Sequence, residues 1–209
     1  MRCRLVLCFL FFSVLLPAAA IAQDKDDFGI WSSLYSSVKV SDKWKVGLMA
    51  EHRSMDNTRG LDCALVMPSV EYRPFKFMKV GFASEYVMCG DKTTQVTARP
   101  YITLILSSGP LAVSVRELPI GEYTIETGTM EWTSRTQFKA TYGIGSTGLE
   151  PYVATEVFIR DGWKKTRHYI GTEYTFGKHS YLDLFYMYYV MSGKPRQRHV
   201  LGIGYGVSF

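Results

Sequence analysis

Long apolar runs are missing from this sequence once its first 22 residues are set aside. Nowhere beyond them do the roughly 18 consecutive uncharged apolar residues of a membrane helix stand together, which excludes a helical membrane protein. An excess of one charge is missing too. Of 24 Lys and Arg, Arg2 and Arg4 lie at the extreme start, leaving 22 against 19 Asp and Glu. That balance carries no nucleic-acid footprint. Histidine and cysteine are scarce, four of each, and Cys3 and Cys8 fall within the first 22 residues. The remainder show no ligand spacing, so neither a metal nor another cofactor is expected. A 3.6-residue apolar period is also lacking. The chain after residue 22 reads in twos, with no linker and no change of composition, and one domain is expected over 23–209.

What is present begins with a leader. Arg2 and Arg4 precede an apolar run from Leu5 to Leu16, then Pro17 and a small-residue patch ending Ala20-Ile21-Ala22. Charged region, apolar region and A-x-A site together predict a signal peptide over 1–22, cleaved after export by the Sec route. A lipoprotein reading of Cys8 fails, because Leu7 stands where a small residue is needed.

Aromatics are plentiful, with 14 Tyr and 12 Phe. The closing stretch shows how they are used. Leu201, Ile203, Tyr205, Val207 and Phe209 alternate with Gly202, Gly204, Gly206 and Ser208. A strand with that pattern carries all its bulk on one face. Outer-membrane barrels commonly end this way, on an apolar strand that the insertion machinery reads.

Similar alternation marks Gly29–Val40, Trp44–Arg53, Leu61–Tyr72, Phe77–Met88, Gln95–Leu106, Leu111–Leu118, Met130–Tyr142, Pro151–Arg160, Thr166–Phe176, Tyr181–Val190 and Arg198–Phe209. Most are longer than the five or so residues of a soluble strand and suit a tilted crossing of a bilayer. Ser41-Asp42-Lys43, Arg73–Lys76, Ser107–Pro110, Gly143–Leu149 and Gly177–Ser180 read as tight turns. Residues 54–60, 89–94, 119–129, 161–165 and 191–197 read as mostly longer, polar loops. Short periplasmic turns against longer outside loops predict an all-β fold: a closed antiparallel up-and-down transmembrane barrel. Eleven segments are counted, whereas single-chain bacterial barrels have an even number. Ten or twelve strands are therefore expected, with twelve preferred.

Energy decides the faces. A cation facing lipid at the midplane costs about 2–4 kcal/mol, so mid-strand charges are expected to point into the lumen in every strand. Glu51 and Arg53 then turn inward, with Trp44, Val46, Leu48 and Ala50 outward. Lys79, Glu85, Arg99, Arg135, Gln137, Lys139, Glu156 and Glu173 are inward by the same rule.

A tryptophan near the start of the domain (Trp31), the pair Glu51 and Arg53 ending the second strand, repeated inward Arg and Glu, and a closing strand ending in Phe209 together resemble one family. It is the outer-membrane family called domain of unknown function 2490. The resemblance spans nearly the whole domain through diffuse motifs. It implies an outer-membrane β-barrel and brings no catalytic residues with it.

Several candidate sites follow from the residues themselves. Gly202-x-Gly204-x-Gly206 is no dinucleotide loop, since no helix follows it; small lumenal residues there leave room for long neighbours. His168, Ser192 and His199 fall near one rim, both histidines on the lipid-facing parity, where an acyl hydrolase would hold a Ser–His pair. No acidic residue on that face orients them, so they are weak catalytic candidates and the expectation is of no enzyme. Lys164, Lys165 and Arg167 in one outer loop region, with Lys194, Arg196 and Arg198 in another, are candidate contacts for lipopolysaccharide phosphates. Folding the hairpin about residue 75 brings Cys63 within a diagonal step of Cys89 at the lumenal outer rim, where a disulfide is expected in an oxidising compartment. Hairpin arithmetic also sets Glu71 opposite Lys79, Glu85 nearly opposite Arg99, and Arg135 beside Glu156, predicting a lumen laced by ion pairs.

Three functions compete on these grounds. The first is a structural or narrow-pore outer-membrane barrel; the others are a lipid-modifying enzyme and a soluble periplasmic lipocalin-like barrel. Expected partners are outer-membrane lipid, lipopolysaccharide and the barrel-insertion machinery, with no nucleic acid. Oligomeric state is left open.

Overall fold

The computed structural model describes residues 27–54, 63–90, 94–193 and 197–209. These form eleven strands: β1 (Asp27–Lys39), β2 (Trp44–Ser54), β3 (Cys63–Phe75), β4 (Met78–Cys89), β5 (Thr94–Ser108), β6 (Leu111–Thr124), β7 (Thr129–Tyr142), β8 (Leu149–Ile159), β9 (Trp163–Phe176), β10 (Ser180–Met191) and β11 (Arg198–Ser208). Each pairs with its neighbour in sequence, and β1 pairs with β11 to close the barrel. The expected leader lies outside the described residues.

Closure is where the even-number expectation fails. β1 and β11 run parallel, from Asp27 opposite Arg198 to Ser37 opposite Ser208. Every other pair is antiparallel, so eleven described strands rather than ten or twelve complete the ring. An odd count sends the first and last strands the same way, and the slanted bonds of a parallel ladder satisfy both edges. Lys39 N–H donates to the Phe209 carbonyl at 2.8 Å and Phe209 N–H to the Ser37 carbonyl at 2.9 Å, zipping the seam to its end.

Connections 40–43, 76–77, 109–110, 143–148 and 177–179 gather at one end of the barrel, hereafter the turn end. Asp27, Ser54, Cys63, Cys89 and Thr94 stand at the opposite, loop end. Two expected loops shrink. β6 and β7 continue to Thr124 and from Thr129, and the β8–β9 connection is tight. There Asp161 (φ 52°) and Gly162 (φ 114°) both take positive φ and reverse the chain between Ile159 and Trp163. Asp and Gly tolerate that region where most residues do not.

Period two assigns the faces. In β2, Trp44, Val46, Leu48 and Ala50 are exposed while Lys45, Gly47, Met49 and Glu51 are half-buried. In β11, Ile203 and Tyr205 point outward and Gly202, Gly204 and Gly206 inward. The glycines are occupied space. Gly202 lies directly opposite Phe185, and Gly206 opposite Tyr181; a Cβ at either would fall inside the facing ring. The rings lie flat on glycine backbone because nothing there stands in their way.

One residue breaks the rule that every mid-strand charge turns inward. Glu117 stands on the outer face of β6, between Val115 and Pro119. Arg116 beside it takes the lumenal position, and consecutive strand residues must face opposite ways. Its carboxylate is not bare. Ser134 Oγ and Thr136 Oγ1 of β7 donate to its two oxygens, each at 2.6 Å.

Candidate functional site

The inward side chains divide the lumen into two storeys. Toward the loop end, long charged and aromatic residues meet across the interior. Glu85 of β4 is 1% exposed; it pairs with Arg99 of β5, accepts from Thr97 Oγ1 at 3.5 Å, and has Arg53 Nη2 of β2 at 3.8 Å. Arg53 also holds Glu51, Nε to Oε1, at 2.6 Å.

On the other side Glu156 of β8 is equally buried. It pairs with Arg135 of β7, accepts from Gln137 Nε2 at 2.7 Å and from the Tyr169 hydroxyl at 3.0 Å, and has Arg167 Nη1 at 3.6 Å. Trp31 of β1 joins the two acid centres: the Arg53 guanidinium lies 4.4 Å from its ring and that of Arg167 5.1 Å. Arg167 also lies over Phe158 and Tyr189, at 4.9 and 5.1 Å. β6 contributes Leu118 and Ile120, packed with Phe158. The belt residues named here come from nine of the eleven described strands.

The three hairpin pairs are ion pairs on diagonals. Glu85 stands opposite Thr97, and Arg99 opposite Ala83. Glu156 stands opposite Gln137, not Arg135. Glu71 stands opposite Gly81, with Lys79 Nζ at 3.3 Å from its Oε1. Each pair is one two-residue step off direct opposition, a distance long side chains span. Cys63 and Cys89 face each other directly and are joined by a disulfide. The turn falls at residues 76–77 rather than at 75, which moves the residue facing Cys63 from 86 or 87 to Cys89.

The second storey, toward the turn end, is a polar chamber of about 410 Å³. Glu71 there takes Lys79 and the Tyr101 hydroxyl, the latter at 3.2 Å. Arg116 donates through Nε to Thr103 Oγ1 at 2.9 Å and lies 5.1 Å over the Tyr101 ring. Lys45 lies 5.4 Å over Tyr35. Beyond the lining, Tyr152 donates to Asp183 at 3.0 Å and Lys139 sits 4.0 Å from the Tyr152 ring.

Other candidates scatter. His168 and His199 are on the outer face, in one row with Tyr188 between them. His168 Nδ1 meets Thr155 Oγ1 at 3.2 Å, and His199 Nδ1 the Tyr186 hydroxyl at 2.5 Å. The hydroxyls brought to the histidines are therefore those of Thr155 and Tyr186. Ser192 sits in the turn after β10, its N–H bonded to the Lys164 carbonyl.

The basic cluster needs correcting. Lys165 and Arg167 belong to strand β9 and point into the lumen, Lys165 over Phe158 at 4.5 Å. Arg198 turns inward beside Asp27 at 3.3 Å. These three are turned away from the outer loop surface; Lys164 is exposed, and Lys194 and Arg196 lie outside the described residues. Reading 161–165 as a loop hid Lys165; Arg167 lay within the segment Thr166–Phe176 and shares its parity with Glu173, already assigned inward, but was grouped with the loop lysines. Leu201, Ile203, Tyr205, Val207 and Phe209 line the outer face of the closing strand, Phe209 63% exposed.

A closed barrel with an apolar outer wall and a charged, partly filled interior defines the class. The chain belongs to the family described as protein of unknown function (DUF2490), whose model matches residues 28–200. It is similar in fold to a NanC porin solved in a rhombohedral crystal form, with a TM-score of 0.53 and 15% identity, covering 80% of this chain and 90% of that one. No curated protein sequence matches it.

Proposed function

We propose that this chain is an outer-membrane β-barrel, delivered through the Sec route, whose lumen is closed to ions across its loop-end half. The single observation that carries the reading is the belt itself. Glu85 and Glu156 are each 1% exposed, and each is held by arginines from neighbouring strands. Carboxylates lining a water-filled channel would be hydrated one by one; these are stripped of water and paired. The apolar outer wall supports a membrane setting, because a closed barrel leaves no unpaired edge in hydrocarbon and a soluble lipocalin-like barrel would put that wall in water. The turn end faces the periplasm in this reading and the loop end faces outward. The hydroxyls that meet His168 and His199 are those of Thr155 and Tyr186 rather than Ser192, which favours a barrel without hydrolase chemistry.

Planar-bilayer recording tests the reading. Wild-type protein is expected to be nearly silent, with conductance appearing in Arg135→Ala. Large, stable single-channel steps from wild type would overturn it.

A further inference from the structure

We infer that the turn-end chamber is a binding site for a small anionic solute, a carboxylate- or phosphate-bearing molecule that also offers a hydrogen-bond donor. The inference rests on the closed-lumen reading only for the route of entry, from the turn end.

Charge bookkeeping in the chamber carries it. Five charged residues line it: Lys45, Lys79, Arg116, Glu71 and Glu173. Lys79 and Glu71 satisfy each other at 3.3 Å. Lys45 and Arg116 have no carboxylate within 4.0 Å among the described residues; their neighbours are the Tyr35 and Tyr101 rings and the Thr103 hydroxyl. Loop-end arginines behave otherwise. Arg53, Arg99, Arg135 and Arg167 all have an acid partner. Among the described residues the guanidinium of Arg116 spends its Nε–H on Thr103, leaving four N–H donors in the planar fork that suits carboxylate and phosphate.

Space is kept open beside those cations. Tyr101 and Tyr181 stand directly opposite Gly81 and Gly206, and a Cβ at either glycine would collide with the facing ring. The rings therefore lie against the wall instead of crossing the lumen. Glu173, which has no cation within 4.0 Å among the described residues, supplies one acceptor at the rim of the same space. Two cations against one acid select an anion that carries a hydroxyl or ammonium donor.

The test is isothermal titration of the full refolded chain in uncharged detergent at low salt. Glycerol 3-phosphate is one probe, 2-hydroxysuccinate the second, and glycerol the uncharged control. Saturable binding of at least one anion and none of glycerol is expected, and which anion binds names the source of the charge. Arg116→Gln should weaken binding about tenfold or more, the loss of one charge-assisted contact. Glu173→Gln should strengthen it by removing a like charge, and His52→Gln, on the outer face of β2, should leave it unchanged. Folding of each variant is checked by its unheated gel mobility; if Arg116→Gln fails that check, Lys45→Gln replaces it and must also weaken binding. No saturable heat from either anion with folded wild type, or undiminished binding in folded Arg116→Gln, would overturn the inference. Channel recordings decide the closed lumen separately, so the two readings fail by different measurements.

Discussion

Arg116 and Glu117 are neighbours in sequence and end on opposite sides of the barrel wall. The guanidinium lies inside over the Tyr101 ring, and the carboxylate lies outside between the hydroxyls of Ser134 and Thr136. A strand offers one lumenal place to two adjacent charges, and the arginine holds it. That order agrees with cost, since a lipid-facing cation is dearer than a lipid-facing carboxylate.

Glu117→Leu is therefore expected to stabilise the barrel by about 1 kcal/mol, the charge being worth more removed than kept on an apolar wall. Replacing both hydroxyls, Ser134→Ala with Thr136→Val, while keeping Glu117 should cost about 1–3 kcal/mol, because the carboxylate then loses both donors. Urea titration of protein in liposomes, followed by tryptophan fluorescence, measures both. A destabilised Glu117→Leu would show that the two hydroxyl bonds outweigh the cost of the charge on the apolar wall.

Arg135→Ala should destabilise by about 3–5 kcal/mol, since it leaves Glu156 buried with less compensation. Exchanging the pair, Arg135→Glu with Glu156→Arg, should restore only part of the loss. Arg167, Gln137 and Tyr169 also address position 156 and suit an acid there. A double-mutant cycle on the same urea assay gives the coupling, and full additivity of the single changes would contradict the pairing.

The Cys63–Cys89 disulfide fastens β3 to β4 at the loop end, across 26 residues. Losing it, as Cys63→Ser with Cys89→Ser, should cost about 2–4 kcal/mol while leaving the fold intact. Thiol titration of purified, unreduced protein checks the bond directly. Two free thiols would refute it.

Parallel closure places the start of β1 at the loop end and Phe209 at the turn end. An epitope inserted just before Asp27 should be labelled on intact cells, and one in the 143–148 turn only after permeabilisation. Both epitopes on the same side would mean an even strand number. In the same fractions, unheated protein should run apart from heated protein, and deletion of Phe209 should lower the assembled amount.

The sequence by itself determined the barrel and nearly all of its faces. Alternation is a local property, and the cost of charge in an apolar setting gives each strand one answer residue by residue. It also set Glu71 opposite Lys79, Glu85 nearly opposite Arg99 and Arg135 beside Glu156, each one two-residue step from the observed register, because hairpin arithmetic depends on the exact position of a turn. What it left undecided depends on pairings far apart in the chain. Whether β1 meets β11 parallel or antiparallel is a question about strands more than 150 residues apart, and no periodicity within either strand bears on it. Trp31 stands opposite Arg53 within the first hairpin, but only the curvature of the barrel brings Arg167 of β9 to the same ring. Lys165 is the sharpest case: Asp161 and Gly162 turn the chain so tightly that the next residues are already strand, and a charge placed in a solvated loop becomes part of the closed interior.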